Sequence, residues 1–263
     1  MQFSNVSIIL PTFNEGENLR QLIPELLSVF EDLNLKNSEI IISDDRSTDN
    51  TKDVLEKIEF KNNSVILLER SDEPSLPMSI YDGISLAKNK VIMWLDADGS
   101  MPATIVKKMI QAYSIGDKNV IIASRFAEGG GYKGVKEIGE TTIIDAVKNV
   151  KNSKDSVSGM LASIIFNKLL IFLLSSPIKD ITSGFIIGEK KYFYKSYFEN
   201  SSYGEYFVYL SAGLIKENID IQELGYICET RVHGESKTAS SIFQLIMRGI
   251  PYIKAAIVCR IKQ

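Results

Sequence analysis

The sequence predicts an α/β fold with a Rossmann-like, mostly parallel central sheet and helices on both faces. Three observations carry that prediction. Short apolar runs alternate with segments of helical period from residue 6 to residue 124. Repeated strand–helix units of this kind build a parallel sheet covered by helices. The 263 residues suffice for one such domain to bury its core without disulfide or metal staples.

Each element follows from local pattern. Val6–Leu10 is a short apolar run closed by Pro11. Leu19, Leu22, Ile23, Leu26, Leu27 and Phe30 then recur at helical spacing. Glu39–Ser43 reads as the second strand, followed by a helix from Thr48 to Ile58, a strand at Ser64–Leu68 and a helix at Met78–Lys88. Val91–Leu95 reads as a buried strand, and Pro102 opens a helix with Ile105, Val106, Met109, Ile110 and Tyr113 on one face. Asn119–Ser124 is the fifth strand. Residues 127–156 are rich in Gly, Lys, Glu and Asn and read as a mobile loop with some helix. Met160–Leu174 is almost wholly apolar; Asp180–Gly188, a helix at Tyr206–Lys216 and a strand at Ile219–Cys228 complete the body. Ser240–Gln263 is apolar with scattered cations and a break expected at Pro251. The expected division is therefore a domain over 1–238 and a C-terminal amphipathic segment over 239–263.

Composition removes several function classes. The net charge of −3 argues against nucleic acid as a partner. One histidine and two cysteines support neither a disulfide framework nor a Cys/His zinc site. His233 has no nucleophile-elbow serine to serve. Two isolated cysteines and an N-terminus without a basic region predict a cytoplasmic location. No uncharged apolar stretch is long enough to span a bilayer.

The chemistry-bearing residues cluster where strands end, which is where ligands bind in such sheets. Asp96-Ala-Asp98 follows the Val91–Leu95 strand. Alternate residues of an extended segment project to one side, so both carboxylates can face one ligand. Hard oxygen donors of this type suit Mg2+ or Mn2+ bridging to a diphosphate. The competing explanation makes Asp98 an N-cap of the next helix. Asp44 and Asp45 close the second strand as acceptors for a base or ribose, or as turn and cap residues. Pro11, Phe13 and Glu15 form a third strand-end loop, in which an aromatic beside a carboxylate could sandwich a base. Arg231 and Lys237 could clamp a diphosphate, or belong to a solvated loop. Gly129-Gly-Gly131-Tyr-Lys-Gly134 matches a dinucleotide fingerprint in letters but follows the fifth strand rather than the first, so a plain loop explains it.

Taken in order, Pro11-Thr-Phe-Asn-Glu15, Asp44-Asp-Arg-Ser-Thr-Asp-Asn-Thr51, Asp96-Ala-Asp98, Ser124-Arg-Phe126, Asp180-Ile-Thr-Ser-Gly-Phe185 and Arg231-Val-His-Gly-Glu-Ser-Lys237 resemble family 2 glycosyltransferases with the GT-A fold. The chain looks most like the dolichol-phosphate mannose synthase group, bacterial polyprenyl-phosphate sugar synthases included. The resemblance implies a nucleotide-sugar pocket lined by Pro11, Phe13, Glu15 and Asp44. It implies Asp96 and Asp98 as metal and diphosphate carboxylates, with Ser100 where the group usually carries a metal-assisting Gln. Arg125, Arg231 and Lys237 become phosphate contacts. The usual arginine near Ser158 is missing, and Leu210 stands where an acid is usual, with Glu205 the nearest one.

The expected activity is transfer of a sugar, with inversion and Mg2+ or Mn2+, from a nucleoside diphosphate sugar to a polyprenyl phosphate. A phosphate acceptor needs no general base. A glycan hydroxyl would need one, and Asp180 is the candidate. A sugar nucleotidyltransferase and a non-catalytic nucleotide-sugar binder are the other readings. The apolar segments Met160–Leu174 and Ser240–Gln263, with Arg248, Lys254 and Arg260, predict either peripheral membrane contact or burial in the core or a homodimer.

Overall fold

A computed structural model describes residues 3–58, 64–132, 157–229 and 242–262. The strand–helix repeats form where their periods place them. They comprise β1 (Val6–Thr12), α1 (Gly16–Asp32), β2 (Glu39–Asp44), α2 (Thr51–Lys57), β3 (Val65–Glu69), α3 (Leu76–Leu86), β4 (Val91–Trp94), α4 (Ala103–Ile115) and β5 (Val120–Ser124). Then come β6 (Gly131–Tyr132), α5 (Val157–Leu174), β7 (Ile186–Glu189), α6 (Tyr206–Lys216), β8 (Ile221–Gly225), β9 (Ile227–Cys228) and α7 (Ile242–Lys262).

Seven strands form one sheet in the order β3-β2-β1-β4-β7-β5-β8. β7 runs antiparallel to β4 and β5, while the other pairings in this sheet are parallel. That reversal matters for function. Ile186, the first residue of β7, pairs with Trp94 and with Ile122. The segment entering β7 therefore lies at the same sheet edge as the carboxyl ends of β4 and β5.

Period-two alternation sorts the strand residues into two cores. Ile8, Leu10, Ile40, Ile42, Met93, Ile121 and Ala123 pack with α1 and α4, through Leu19, Leu22, Ile23, Val106 and Met109. Ile9, Ile41, Ile92, Trp94, Val120 and Ile122 pack on the other face with Ile80 and Ile84 of α3, Leu170 of α5, Phe207 and Leu210 of α6, and Ala255 and Ala256 of α7. Helices thus cover both faces, as the fold class requires.

Three expectations are corrected. α7 continues through Pro251 instead of breaking there, as α1 does through Pro24. Burial of Ala255 and Ala256 beyond the proline holds the helix, and tertiary packing outweighs one missing backbone bond. The strand expected over Ile219–Cys228 divides at Tyr226 into β8 and β9, which join different sheets. Asp180–Gly188, to which the sequence assigned no element, runs into β7 at Ile186. The described part of the expected 127–156 loop includes β6, which pairs with β9; residues 133–156 lie outside the described residues.

The β8–β9 division depends on Gly225. A Cβ there would sit on the carbonyl oxygen of Glu128 and 2.7 Å from the amide nitrogen of Gly130. Only glycine lets the 124–131 loop fold against the end of β8. Gly225→Ala is expected to cost about 1–3 kcal/mol by overpacking, read from the urea midpoint at unchanged m-value.

Candidate active site

The loops after β1 and β2 are tied to each other. Asn14, at φ 57°, accepts hydrogen bonds at Oδ1 from the amides of Thr48 (2.7 Å) and Asp49 (3.2 Å). Its own amide donates to Ser47 Oγ at 2.8 Å. Asparagine tolerates that left-handed backbone better than most residues. Pro11 is buried within β1, Phe13 remains 40% exposed, and Glu15 accepts from Asn18 Nδ2 at 2.6 Å. The strand-end aromatic and the carboxylate therefore sit in one turn, beside the β2 loop.

Asp44 and Asp45 have different environments. Asp44 accepts from the amide and hydroxyl of Ser47 and closes a turn. Asp45, to which the family resemblance assigns no role, is buried and ion-paired with Arg70. Arg70 also donates from Nε to Asp82 at 2.7 Å, and Asp45 accepts from the Ser75 amide. This cluster joins the ends of β2 and β3 to the start of α3. Burial pushes the Asp45 carboxyl upward, and Ser75 and Arg70 draw it back.

Asp96 and Asp98 follow β4 directly. Asp96 is half-buried, and its amide donates to Met101 Sδ at 3.3 Å. Asp98 is buried and accepts from the Ser100 amide at 2.9 Å, in a turn completed by Gly99 at φ 78°. The N-cap explanation does not hold. Pro102 occupies the cap of α4, which has no side-chain cap bond. The Ser100 carbonyl accepts from the Glu229 amide at 3.0 Å, which brings the chain just past β9 to this turn. Arg231 and Lys237 lie outside the described residues.

Beneath Asp96 is an aromatic floor. Trp94 Nε1 donates to the Tyr206 hydroxyl at 3.0 Å. The Tyr206 ring stacks on Phe198, with centroids 5.5 Å apart. Burial, reinforced by the Asp96 charge, holds the Tyr206 hydroxyl well above the ordinary phenol range, so it stays protonated. Its only signal in the sequence is a single tryptophan ending a buried strand. Glu205 is buried and accepts from Ser202 and Tyr203, which makes it a turn residue at the start of α6. Leu210 is fully buried.

Arg125 and Asp180 meet because β7 is reversed. Asp180 is completely buried. It accepts at Oδ2 from Arg125 N and Nε, both at 2.9 Å, and at Oδ1 from Arg125 Nη2 at 2.7 Å and the Thr182 amide at 3.3 Å. Arg125 Nη2 also reaches Thr182 Oγ1 at 2.8 Å. Two residues that sequence reasoning missed hold this loop. Asn167 of α5 donates to the Lys179 carbonyl at 2.6 Å and accepts from the Ile181 amide at 3.1 Å. Glu223 of β8 accepts from the amides of Lys179 and Asp180.

The donor set suits a divalent cation of a particular kind. No group of three or more His, Cys, Asp or Glu side chains placed to hold a metal occurs among the described residues. The carboxylates of Asp96 and Asp98, on a turn closed by the Ser100 amide, are hard oxygen donors of the type that Mg2+ or Mn2+ takes.

A mostly parallel sheet with one reversed strand, and carboxylates at its strand ends, is the arrangement expected of the GT-A fold. The family model for Glycosyl transferase family 2 matches residues 7–196, and the chain belongs to that family. It is 30% identical over 168 residues to a dolichol-phosphate mannosyltransferase of Pyrococcus furiosus, covering 60% of this chain and 45% of that protein. It is 28% identical over 207 residues to a poly(ribitol-phosphate) beta-N-acetylglucosaminyltransferase of Staphylococcus aureus, covering 74% and 61%. The chain thus spans only part of the length of these relatives. Glucosyl-3-phosphoglycerate synthase from Mycobacterium tuberculosis, solved with Mn2+, uridine diphosphate and phosphoglyceric acid, shares the fold with a TM-score of 0.65 at 13% identity, over 98% of this chain and 78% of that one.

Removing Asp180 would strand the Arg125 cation in a largely buried position. Asp180→Ala is expected to cost about 3–5 kcal/mol, measured by denaturant unfolding, with loss of the slow-exchanging amides of residues 179–182.

Proposed function

We propose that this glycosyltransferase transfers the sugar, with inversion, to a polyprenyl phosphate. The observation carrying this reading is the state of Asp180. Both of its oxygens are committed to Arg125 and Thr182, so it is badly placed to take a proton from an attacking hydroxyl. A phosphate oxygen is already anionic near neutral pH and attacks without a base. The mannosyltransferase relatives support the same acceptor class by name.

The chain's own residues divide the work. Phe13, with Pro11 and Glu15, frames the base side of the donor, with Asp44 on the adjoining loop. Asp96 and Asp98 would hold a divalent ion, which would supply positive charge to offset charge developing on the leaving diphosphate. The Tyr206–Trp94 pair fixes the floor under Asp96. The Asp180–Arg125 pair ties the end of β5 to the approach to β7, and Arg231 and Lys237 are assigned to the phosphates.

A second reading, transfer to a glycan or polyol-phosphate hydroxyl, is favoured by the Staphylococcus relative, whose match covers more of this chain than the Pyrococcus one. The test is to incubate the protein with Mn2+, UDP- or GDP-sugars and undecaprenyl phosphate, and separately with soluble glycans. A lipid-linked sugar is the expected product. Transfer confined to glycan hydroxyls, and lost in Asp180→Asn, would overturn the proposal.

The carboxylate pair gives two further expectations. Asp98→Asn should fold with an unchanged melting temperature yet lose about 100-fold or more of turnover, the scale of a lost transition-state electrostatic contact. In calorimetry, Mn2+ should bind weakly to the protein alone and more tightly once a nucleoside diphosphate is present, and Asp98→Asn should abolish that synergy.

A further inference from the structure

We propose that the outer faces of α5 and α7 form a docking surface for an anionic lipid bilayer. The inference deepens the lipid-acceptor reading, on which its biological purpose rests, but binding to the bilayer can be measured without any transfer.

The solvent side of a helix on a soluble domain is ordinarily polar. Here it is not. On α5, Ile165, Leu169 and Phe172 are 67%, 40% and 78% exposed, and with exposed Lys168 they form one i, i+3, i+4, i+7 stripe. On α7, Met247, Ile250, Lys254, Ile257, Val258 and Ile261 are all exposed. At 3.6 residues per turn they fall within an arc of about 100°. Arg248 and Lys262 flank that arc on one side and Arg260 on the other, where long cationic side chains can reach the headgroups while the stripe enters the interface. The opposite side of α7 is buried: Ala255 and Ala256 are inaccessible, and Tyr252 packs edge-on against Phe166 of α5 with centroids 5.7 Å apart. Exposed apolar residues elsewhere, such as Leu86 and Ile115, sit singly at helix ends and need no explanation.

Charge selects the occupant. The two helices carry Lys168, Arg248, Lys254, Arg260 and Lys262 and no acidic residue, in a chain whose net charge is −3. Two copies of such a face would repel one another, which disfavours a symmetric dimer through it. An anionic headgroup layer meets both the cations and the apolar stripes. No described helix is long and apolar enough to cross a membrane, so the helices would lie on it.

The surface is also joined to the site. Asn167, on the inner side of α5, holds the backbone on both sides of Asp180. A Cβ at Gly204 would meet the Tyr252 hydroxyl, so α7 packs directly against the turn that leads into α6. Docking would therefore set the Asp180 loop and the start of α6 at a fixed height above the bilayer that contains the acceptor.

The test is vesicle flotation of the full chain with phosphatidylcholine alone and with equal parts phosphatidylcholine and phosphatidylglycerol, at low and high salt. The protein should float with the anionic vesicles, and raised salt should release it. Phe172→Ser combined with Ile261→Ser, both at highly exposed positions, should lower the bound fraction about tenfold or more without changing the melting temperature. Lys168→Gln with Lys254→Gln should weaken binding to anionic vesicles. Protein that stays in solution with anionic vesicles, or a serine variant that floats like the parent, overturns the proposal. So does a dimer, seen by light scattering, that the serine pair dissociates. Transfer to a short-chain, water-soluble polyprenyl phosphate, followed in the same variants, tests the acceptor separately. Docking can then fail while that transfer persists, and the reverse.

Discussion

A carboxylate with no exposure to water has to be neutralised where it lies, and the architecture around Asp180 follows from that requirement. Arg125 supplies the charge and Thr182 further donors, while Glu223 and Asn167 hold the backbone on either side. These groups come from the end of β5, the approach to β7, the middle of β8 and the inner side of α5. A buried pair of this kind adds little net stability, but leaving one partner alone is costly. It therefore locks four elements into one relative arrangement. The reversed strand β7 is what makes the meeting possible, because it brings its entering segment to the edge where the parallel strands end.

The same edge divides its carboxylates by the work they do. Asp44 closes a turn, Asp45 binds a buried arginine, and Asp180 is saturated by Arg125 and Thr182. Asp96 and Asp98 lie between these fixed points, on a turn opened by Gly99 and supported by the Trp94–Tyr206 hydrogen bond. Paired charges on either side fix the surroundings of the turn that carries these two carboxylates.

α5 and α7 carry two kinds of information on opposite sides. Their inner faces are ordinary core, closed by Leu170, Ala255 and Ala256, and bear the single buried amide of Asn167 that grips the Asp180 loop. Their outer faces combine apolar stripes with cations. The combination explains why the α5 sequence is apolar nearly all round. It also accounts for α7 running on through Pro251: a helix held along its length by core contacts tolerates the loss of one backbone bond.

Periodicity is local. The alternation of strands and helices through residue 124, the parallel sheet and the strand-end positions of Pro11, Phe13, Glu15, Asp44, Asp96, Asp98 and Arg125 are therefore legible in the sequence alone. The ordered motifs carry the family for the same reason, since each is a short run at a strand end. Contacts between distant segments leave no such trace. Nothing near Asp180 in the chain indicates that Arg125, 55 positions away, will consume its oxygens. Nor does any nearby residue mark Asp45 rather than Asp44 as the partner of Arg70. The division of β8 from β9, the direction of β7 and the course of α7 past Pro251 likewise depend on what packs against them. Asp98 shows the difference most plainly: in the sequence it is equally a helix cap or a ligand. The fold removes the first of these by placing Pro102 at the cap, while the Asp98 carboxylate accepts from the Ser100 amide. Local pattern determines which residues reach the sheet edge, and long-range pairing determines which of them are consumed in holding it together.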